Sequence, residues 1–363
     1  MEKLQCGVIG GTGLVGQFFI TLLRDHPWFQ VTDIAASPRS AGKTYEKAVE
    51  GRWFMDCPIP PEIKDMVVRD AQAMDTIPEN LDFVFSAVSL KDKEAIRQFE
   101  FEYAKRGIPV VSNNSAHRWT PDVPMLIGEI NSHHTDIIPI QQKNRGFDRG
   151  FVVVKPNCSL QSYLTAVWAL EKAGYPVENL IITTLQAVSG AGYHGVPSMA
   201  MVDNLVPFIG GEEEKTEQEP LKILGQVSDT AIENYEGILI SATCTRVPVV
   251  HGHTACVSMK FKDKKPSKKE IIQIWEEFKG KPQELGTPFA PEHPILYFSE
   301  NDHPQPRKHR DLEKGMAVSV GRLRDDPVFD YKFVALSHNM IRGAAGGAIL
   351  AAELLKTKGY FDK

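Results

Sequence analysis

The sequence predicts an α/β protein of two domains: an open, mostly parallel sheet flanked by helices at the N-terminus, then an α+β domain on a largely antiparallel sheet. Three observations carry that reading. The chain begins with an apolar segment, a glycine turn and an amphipathic helix in immediate succession. Further apolar runs then alternate with helical segments, and past Cys158 strand-like segments dominate. At 363 residues the chain also exceeds one ordinary core, since ~100–200 residues per domain is usual.

Leu4-Gln5-Cys6-Gly7-Val8-Ile9 reads as a strand, residues 10–16 (GGTGLVG) as a turn, and Phe18, Phe19, Leu22 and Leu23 follow at helical spacing. This is the opening unit of a Rossmann-like, dinucleotide-binding domain. Glycines at 10, 13 and 16 let the backbone turn sharply and approach a pyrophosphate that faces the helix N-terminus. Gly10, Thr12, Gly13, Leu14 and Val15 are the cofactor-binding residues expected there. The second strand, Val31 to Ala36, runs into Ser37-Pro38-Arg39-Ser40, where an NAD-selective site would end in an acid. Ser37, Arg39 and Ser40 suit a ribose 2′-phosphate, so NADP(H) is expected; Asp33 would reopen the choice if the strand ended earlier.

Prolines 58, 60 and 61 argue against regular structure in that stretch. Leu81 to Ser89 reads as a buried strand, with the small Ser86 and Ala87 at the carboxyl end where ligands gather. A charged helix is expected from about Lys91 to Arg106, then a strand ending in Asn113-Asn114-Ser115-Ala116-His117-Arg118. The planar fork of Arg118 makes it the anion-binding candidate.

The stretch Lys155-Pro156-Asn157-Cys158-Ser159-Leu160 lies between an apolar strand, 151–154, and a helical spacing of apolar residues. Cys158 therefore sits where free amides and a helix dipole favour a thiolate, and it is the candidate nucleophile. Three later features can converge on it: Gln186 to Gly192, a strand entering a flexible loop; Glu219 with Lys222; and Arg246 with His253. Arg246 and His253 fall on opposite faces of a regular strand, so a bulge or turn near Pro248 and Gly252 is required to unite them. A helix from about Lys268 to Phe278 has Ser267 as its N-cap, and a small-residue helix runs from Gly343 to Leu355. Glu212-Glu213-Glu214 reads as an exposed acidic turn. His251 and His253 form an H-x-H pair without an apparent third ligand, so no metal is expected.

Composition narrows the function classes. A net charge of -5 without a clustered basic stretch argues against nucleic acid as a partner and leaves small-molecule chemistry. No signal peptide or bilayer-spanning run is visible, so a cytoplasmic protein without membrane association is expected. Five widely spaced cysteines, an odd number, suit reduced thiols.

Taken together, residues 10–16, 36–43 and 186–190, Pro-Asn-Cys-Ser around Cys158, Glu219 with Lys222, Arg246 with His253, and Ser337-His338-Asn339 leading into residues 342–346 (RGAAG) resemble the aspartate-β-semialdehyde dehydrogenases of the archaeal and fungal branch. The resemblance covers nearly the whole chain. It implies NADPH-dependent reductive dephosphorylation of L-4-aspartyl phosphate to L-aspartate-4-semialdehyde through a cysteine thioester, in aspartate-family amino-acid biosynthesis. By it, Cys158 is the nucleophile and His253 the acid/base; Arg246 takes the α-carboxylate, Glu219 the amino group, Arg118 with Lys222 the phosphate, and Asn157 with Gln186 orient the acyl group. Ser189, Gly190 and Asn339 join the cofactor residues. It further implies a homodimer or homotetramer built on residues 157–339, with 1–156 and the returning 340–363 binding NADP. A malonyl-CoA reductase on the same scaffold is the nearest alternative, disfavoured because Glu219 has no use there. An inactive NADP-binding regulator and N-acetylglutamyl-phosphate reductase fit less well.

Overall fold

A computed structural model describes residues 2–362. It contains two six-stranded sheets and a small ribbon. In chain order the first half supplies β1 (Leu4–Ile9), α1 (Leu14–Leu22), β2 (Phe29–Ala36), β3 (Arg69–Asp70), β4 (Phe83–Ser86), α2 (Lys93–Lys105), β5 (Val110–Ser112) and β6 (Val152–Val154). The second half supplies α3 (Leu164–Lys172), β7 (Val177–Ala187), α4 (Glu212–Ile223), β8 (Gln226–Val227), β9 (Ile232–Glu233), β10 (Leu239–Val247), β11 (His253–Phe261), α5 (Lys268–Glu277), β12 (Ile295–Phe298), β13 (Val318–Asp325), β14 (Tyr331–Ser337) and α6 (Gly346–Thr357).

The first sheet is parallel throughout, in the order β3-β2-β1-β4-β5-β6. Of its inner strands, β4 is a fully buried and almost continuous apolar run because helices cover both faces. The order reverses between β1 and β4, and the crevice beyond their carboxyl ends is where such sheets bind ligands. Two glycines of the turn after β1 are dictated by space. A Cβ on Gly10, whose φ is 79°, would lie 2.3 Å from the Ala87 carbonyl oxygen, and one on Gly16 would lie 2.3 Å from that of Gly10. Asp33 is buried midway along β2 in a two-pronged pair with Arg69, which removes it from the strand end. Prolines did not abolish structure around residue 60: Pro61 opens the one-turn helix Pro61–Lys64, where the missing N–H would have had no partner in any case.

The second sheet runs β10-β7-β11-β14-β13-β12. Its two outer pairings are parallel and its three central ones antiparallel, so the sheet is mixed but mostly antiparallel, as expected. Helices α3 and α5 pack together on one face, where the Trp275 indole donates to the Ala166 carbonyl at 2.9 Å. The expected Ser267 cap of α5 forms a full capping box with Glu270. The other face is open and exposes Ile181 and Leu239.

Helix α6 returns to the first domain, where Ile349, Ala352 and Leu355 join Cys6, Val8, Phe83 and Phe85 in one core. Glu353 on α6 is fully buried and accepts from His26 Nε2 at 2.8 Å and from the Phe289 amide. Just before α6, Arg342 is 1% exposed and donates to Glu129, to the Met316 carbonyl and to Thr165 Oγ1. Among the described residues no helix is long and apolar enough to cross a membrane. Removing Arg342 leaves Glu129 as an uncompensated buried charge, so Arg342→Ala should lower unfolding free energy by about 3–5 kcal/mol. Urea denaturation checks this, and a loss below ~1 kcal/mol contradicts it.

Candidate active site

Cys158 stands between β6 and α3, the strand-to-helix junction expected from sequence, although a tight turn of 3₁₀ helix, Ser159–Ser162, precedes α3. It opens into a cleft of about 300 Å³ bounded by Val15 of the glycine turn, Ser115 and Arg118 after β5, Ser189 and Gly190 after β7, Glu212 and Lys215 at the start of α4, and Asn339.

Arg246 and His253 stand behind this cleft, against Gly190, on two different strands. The segment between them passes over the end of β7, fixed by bonds from the Val188 and Ser189 amides to the Val249 and Val250 carbonyls. Arg246 pairs with Gln186, and the pairing of Thr254 with Leu185 sets His253 beside Gln186 on its other side. Three side chains therefore stand in one row across three adjacent strands. Gly190 closes over the row: a Cβ there would lie 2.8 Å from Arg246 Nη1 and 3.3 Å from His253 Nε2. His251 turns away to stack on His338, so the H-x-H pair does not act together.

His253 Nε2 lies 3.3 Å from Cys158 Sγ, while its Nδ1 accepts the Ala187 amide at 3.0 Å. With Nδ1 so committed, the proton of the neutral ring is on Nε2 and points at sulfur. Burial, reinforced by Arg246, lowers the His253 pKa to about 3. The ring is therefore neutral at ordinary pH. The thiol departs from expectation. Burial and the charge of Glu212 push its pKa up, against the pull of Lys155, Arg118 and Arg246.

Helix α4 holds the largest correction. It carries two E-x-x-K pairs two turns apart, and the pair facing the cleft is Glu212 with Lys215, 2.8 Å apart, not Glu219 with Lys222. Lys222 is 3% exposed, and its ammonium is filled by the carbonyls of Arg118, Thr120 and Val123. Glu219 is wholly buried, taking Arg118 Nη1 on one oxygen and the Asn157 amide N–H on the other. Glu212 is no exposed acidic turn. Both its oxygens accept from Asn157 Nδ2 and one from Gln186 Nε2. Burial works against the Glu212 charge, but Lys215 and these amides outweigh it and lower the pKa. Asn157 and Gln186 thus grip Glu212 rather than lying free for an acyl group. Two E-x-x-K matches on one helix were the available signal for this ambiguity.

The cofactor residues divide as well. Leu14 and Val15 begin α1 directly after Gly13, where amides lack intrahelical acceptors, and with the crowding at Gly10 and Gly16 this forms a cradle that fits a pyrophosphate. Thr12 is buried in the same turn. Ser37 and Arg39 are exposed at the end of β2, whereas the Ser40 hydroxyl is buried and accepts from Arg52. Ser86 directs its hydroxyl to Glu100, leaving only backbone at that edge, and Ala87 abuts Gly10. Ser189 and Asn339 are joined by a 2.9 Å bond on the wall facing Val15, beside Gly190. Among the described residues no group of three His, Cys, Asp or Glu side chains could hold a metal.

Comparison with known proteins matches residues 5–138 to the semialdehyde dehydrogenase NAD binding domain and residues 168–342 to the semialdehyde dehydrogenase dimerisation domain. A protein of Aspergillus fumigatus named aspartate-semialdehyde dehydrogenase is 44% identical over 99% of this chain and 98% of its own length. One of the same name from Methanothermobacter thermautotrophicus is 45% identical over 97% of this chain and 99% of its own. The crystal structure of aspartate semialdehyde dehydrogenase with NADP from Candida albicans is 38% identical, covers 99% of this chain and 100% of that one, and superposes with a TM-score of 0.88.

Burial lowers the pKa of His338 to about 3 as it does that of His253. Such a ring binds fewer protons folded than unfolded, so its stabilising share is present above an ordinary imidazole pKa of ~6.5 and is lost as pH falls toward the folded value. Each ring should contribute up to about 1.4 kcal/mol per pH unit between pH ~6 and ~4. Urea midpoints measured across that range should fall steadily on acidification. His338→Gln should flatten the slope, and an unchanged slope contradicts the assignment.

Proposed function

This chain belongs to the aspartate-semialdehyde dehydrogenase family, and on that premise we propose how its cleft performs the NADPH-dependent reductive dephosphorylation of L-4-aspartyl phosphate to L-aspartate-4-semialdehyde. The observation that carries the reading is the juxtaposition of Cys158 and the Glu212–Lys215 pair in one cleft that faces the glycine turn, with His253 against the thiol and Arg246 beside it behind Gly190.

Cys158 as thiolate attacks the acyl carbon, the C–O bond to phosphate breaks, and a thioester is left on the enzyme. Splitting the reaction in this way holds the acyl group covalently in the cleft as a thioester, a better hydride acceptor than a carboxylate, and after hydride addition the C–S bond breaks to release the aldehyde and return the thiolate. NADPH supplies the hydride when bound, with its pyrophosphate on the Gly10–Gly16 turn and its 2′-phosphate at Ser37 and Arg39. His253 donates Nε2–H to the carbonyl oxygen as it gains negative charge, the task of a neutral imidazole held by a backbone amide. Arg246, which has no ion-pair partner among the described residues, receives the α-carboxylate. Glu212 receives the α-ammonium, and Lys215 and Arg118 the phosphate, Arg118 through the guanidinium edge not engaged by Glu219. An ionised Glu212 beside the nucleophile suits an ammonium and repels a malonyl carboxylate, which disfavours the acyl-CoA alternative. The open face of the second sheet, within the segment matched to a dimerisation domain, is the surface through which the chain assembles with copies of itself.

With L-aspartate-4-semialdehyde, inorganic phosphate and NADP+, the purified chain should form NADPH only when phosphate is present, and Cys158→Ala should abolish this. No activity with phosphate, but NADPH oxidation with malonyl-CoA, overturns the substrate assignment. Lys215→Met should raise the KM for phosphate at least ~tenfold, about the 1.4 kcal/mol of one charge-assisted contact; an effect confined to Lys222→Met would restore the assignment made from sequence. Because the His253 pKa is about 3, the pH profile of kcat/KM should show no step near 6.5 attributable to it. A step there that vanishes in His253→Gln would contradict the neutral-donor role.

A further inference from the structure

His251, the half of the H-x-H pair that turns away from the thiol, has a partner of its own. Its Nδ1 lies 2.9 Å from Ser189 Oγ, and Ser189 lines the cleft that holds Cys158. Two other elements fix the attitude of the ring. It stacks on His338 with centroids 5.1 Å apart, and Phe18 of α1, in the first domain, meets it edge-on at 5.9 Å. Nδ1 cannot swing away from the serine without losing both contacts.

The hydrogen on Ser189 can be traced from the backbone inward. Asn339 Oδ1 accepts the Gly252 amide at 2.8 Å, so the other amide atom is Nδ2, an obligate donor, and it gives a proton to Ser189 Oγ at 2.9 Å. One lone pair of the hydroxyl is thereby filled. A neutral imidazole with its proton on Nε2 leaves Nδ1 as an acceptor, and the serine O–H then points at His251. The second lone pair of Oγ has no donor among the described residues. Any nicotinamide that delivers hydride to an acyl carbon on Cys158 brings into this cleft the carboxamide next to its reacting carbon. That group has N–H donors on one side and a carbonyl on the other.

Resting on the reading of this cleft as an NADP site, we propose that His251 is a positioning residue: by holding the Ser189 hydroxyl proton it makes the serine an acceptor, which selects the N–H side of the carboxamide. His251 lies outside the lining of the cleft and acts through the serine. Protonation reverses the polarity, because Nδ1–H fills the last lone pair of Ser189 and its O–H turns outward. Burial and the charge of Arg310 lower the His251 pKa, against Asp311 and Asp56, so the ring is neutral at pH 7. His338, stacked on it, is the other titratable group at the ring.

The test is calorimetric binding, without substrate, of NADP+ and of its 3-acetylpyridine analogue, which keeps the carbonyl and carries a methyl in place of the amide nitrogen. The full chain should bind NADP+ about tenfold more tightly than the analogue, since the acceptor on Ser189 is left unpaired by the methyl. His251→Phe keeps the stacking but frees the serine O–H to meet the carbonyl that both nucleotides share, so the preference should fall to ~threefold or less. His251→Asn, whose amide oxygen can stand where Nδ1 stands, should keep it. If the phenylalanine variant does not fold, the parent decides: the ratio should shrink on acidification from pH ~7.5 to ~5. The phosphates, common to both nucleotides, cancel in that ratio. Equal affinity of the parent for the two nucleotides overturns the proposal, as does a preference that persists in His251→Phe or, failing that variant, a ratio that stays flat in acid. If neither nucleotide binds, the cofactor reading itself fails and the proposal with it. No acyl donor enters the measurement, so its outcome stands apart from the substrate assignment.

Discussion

The cleft depends on the carboxylate of Glu219. One oxygen holds Arg118 from the segment after β5, and the other takes the Asn157 amide, one residue before the nucleophile. A residue of α4, in the second domain, thus fixes the two loops at the carboxyl edge of the first sheet. Arg118 continues the linkage by donating to the Lys155 carbonyl. Because both bonds are buried and one is an ion pair, neither loop can shift without stranding a charge away from water. The Pro220 beside it is accommodated locally: the Thr216 carbonyl, left without its helical donor, accepts from Tyr163.

Burial then sorts the remaining groups by how well each is compensated. Glu212 keeps its charge because a lysine and two amides attend it. His253 loses its own because burial, with the neighbouring Arg246, disfavours the imidazolium more than Glu212 supports it. Lys155 and the thiol are each shifted toward neutrality alone, and each is the other's leading counterweight. The chemistry of the cleft arises from this unequal compensation rather than from any one residue type.

Much of this was legible in the sequence. Glycine spacing gave the turn after β1, apolar runs gave β1, β4 and β6, and Cys158 was placed by its position between a strand and a helical pattern. What could not be read was register along a helix. Glu212–Lys215 and Glu219–Lys222 lie two turns apart on α4, where periodicity puts both on similar faces, and only the packing of α4 against β10 and the Cys158 turn decides which reaches the cleft. The conflict between Arg246 and His253 dissolved for a topological reason: the intervening residues cross the end of β7, so the two never shared a strand. Hydroxyls misled because type says nothing of direction; Ser40 and Ser86 spend theirs on Arg52 and Glu100. The His253 tautomer was invisible because it follows from one backbone amide contributed by another strand.

The row of Arg246, Gln186 and His253 across β10, β7 and β11 is a caliper. Adjacent strands sit ~4.8 Å apart, so two steps separate the backbones of Arg246 and His253 by about 9.6 Å. Ladder hydrogen bonds set that span, and side-chain substitution does not alter it. On the reading proposed above, with a carboxylate at one jaw and the reacting carbonyl at the other, the sheet itself would gauge the length of the carbon chain between them. Changing the gauge would take a rearrangement of strands, whereas changing the polarity of either jaw takes a single residue.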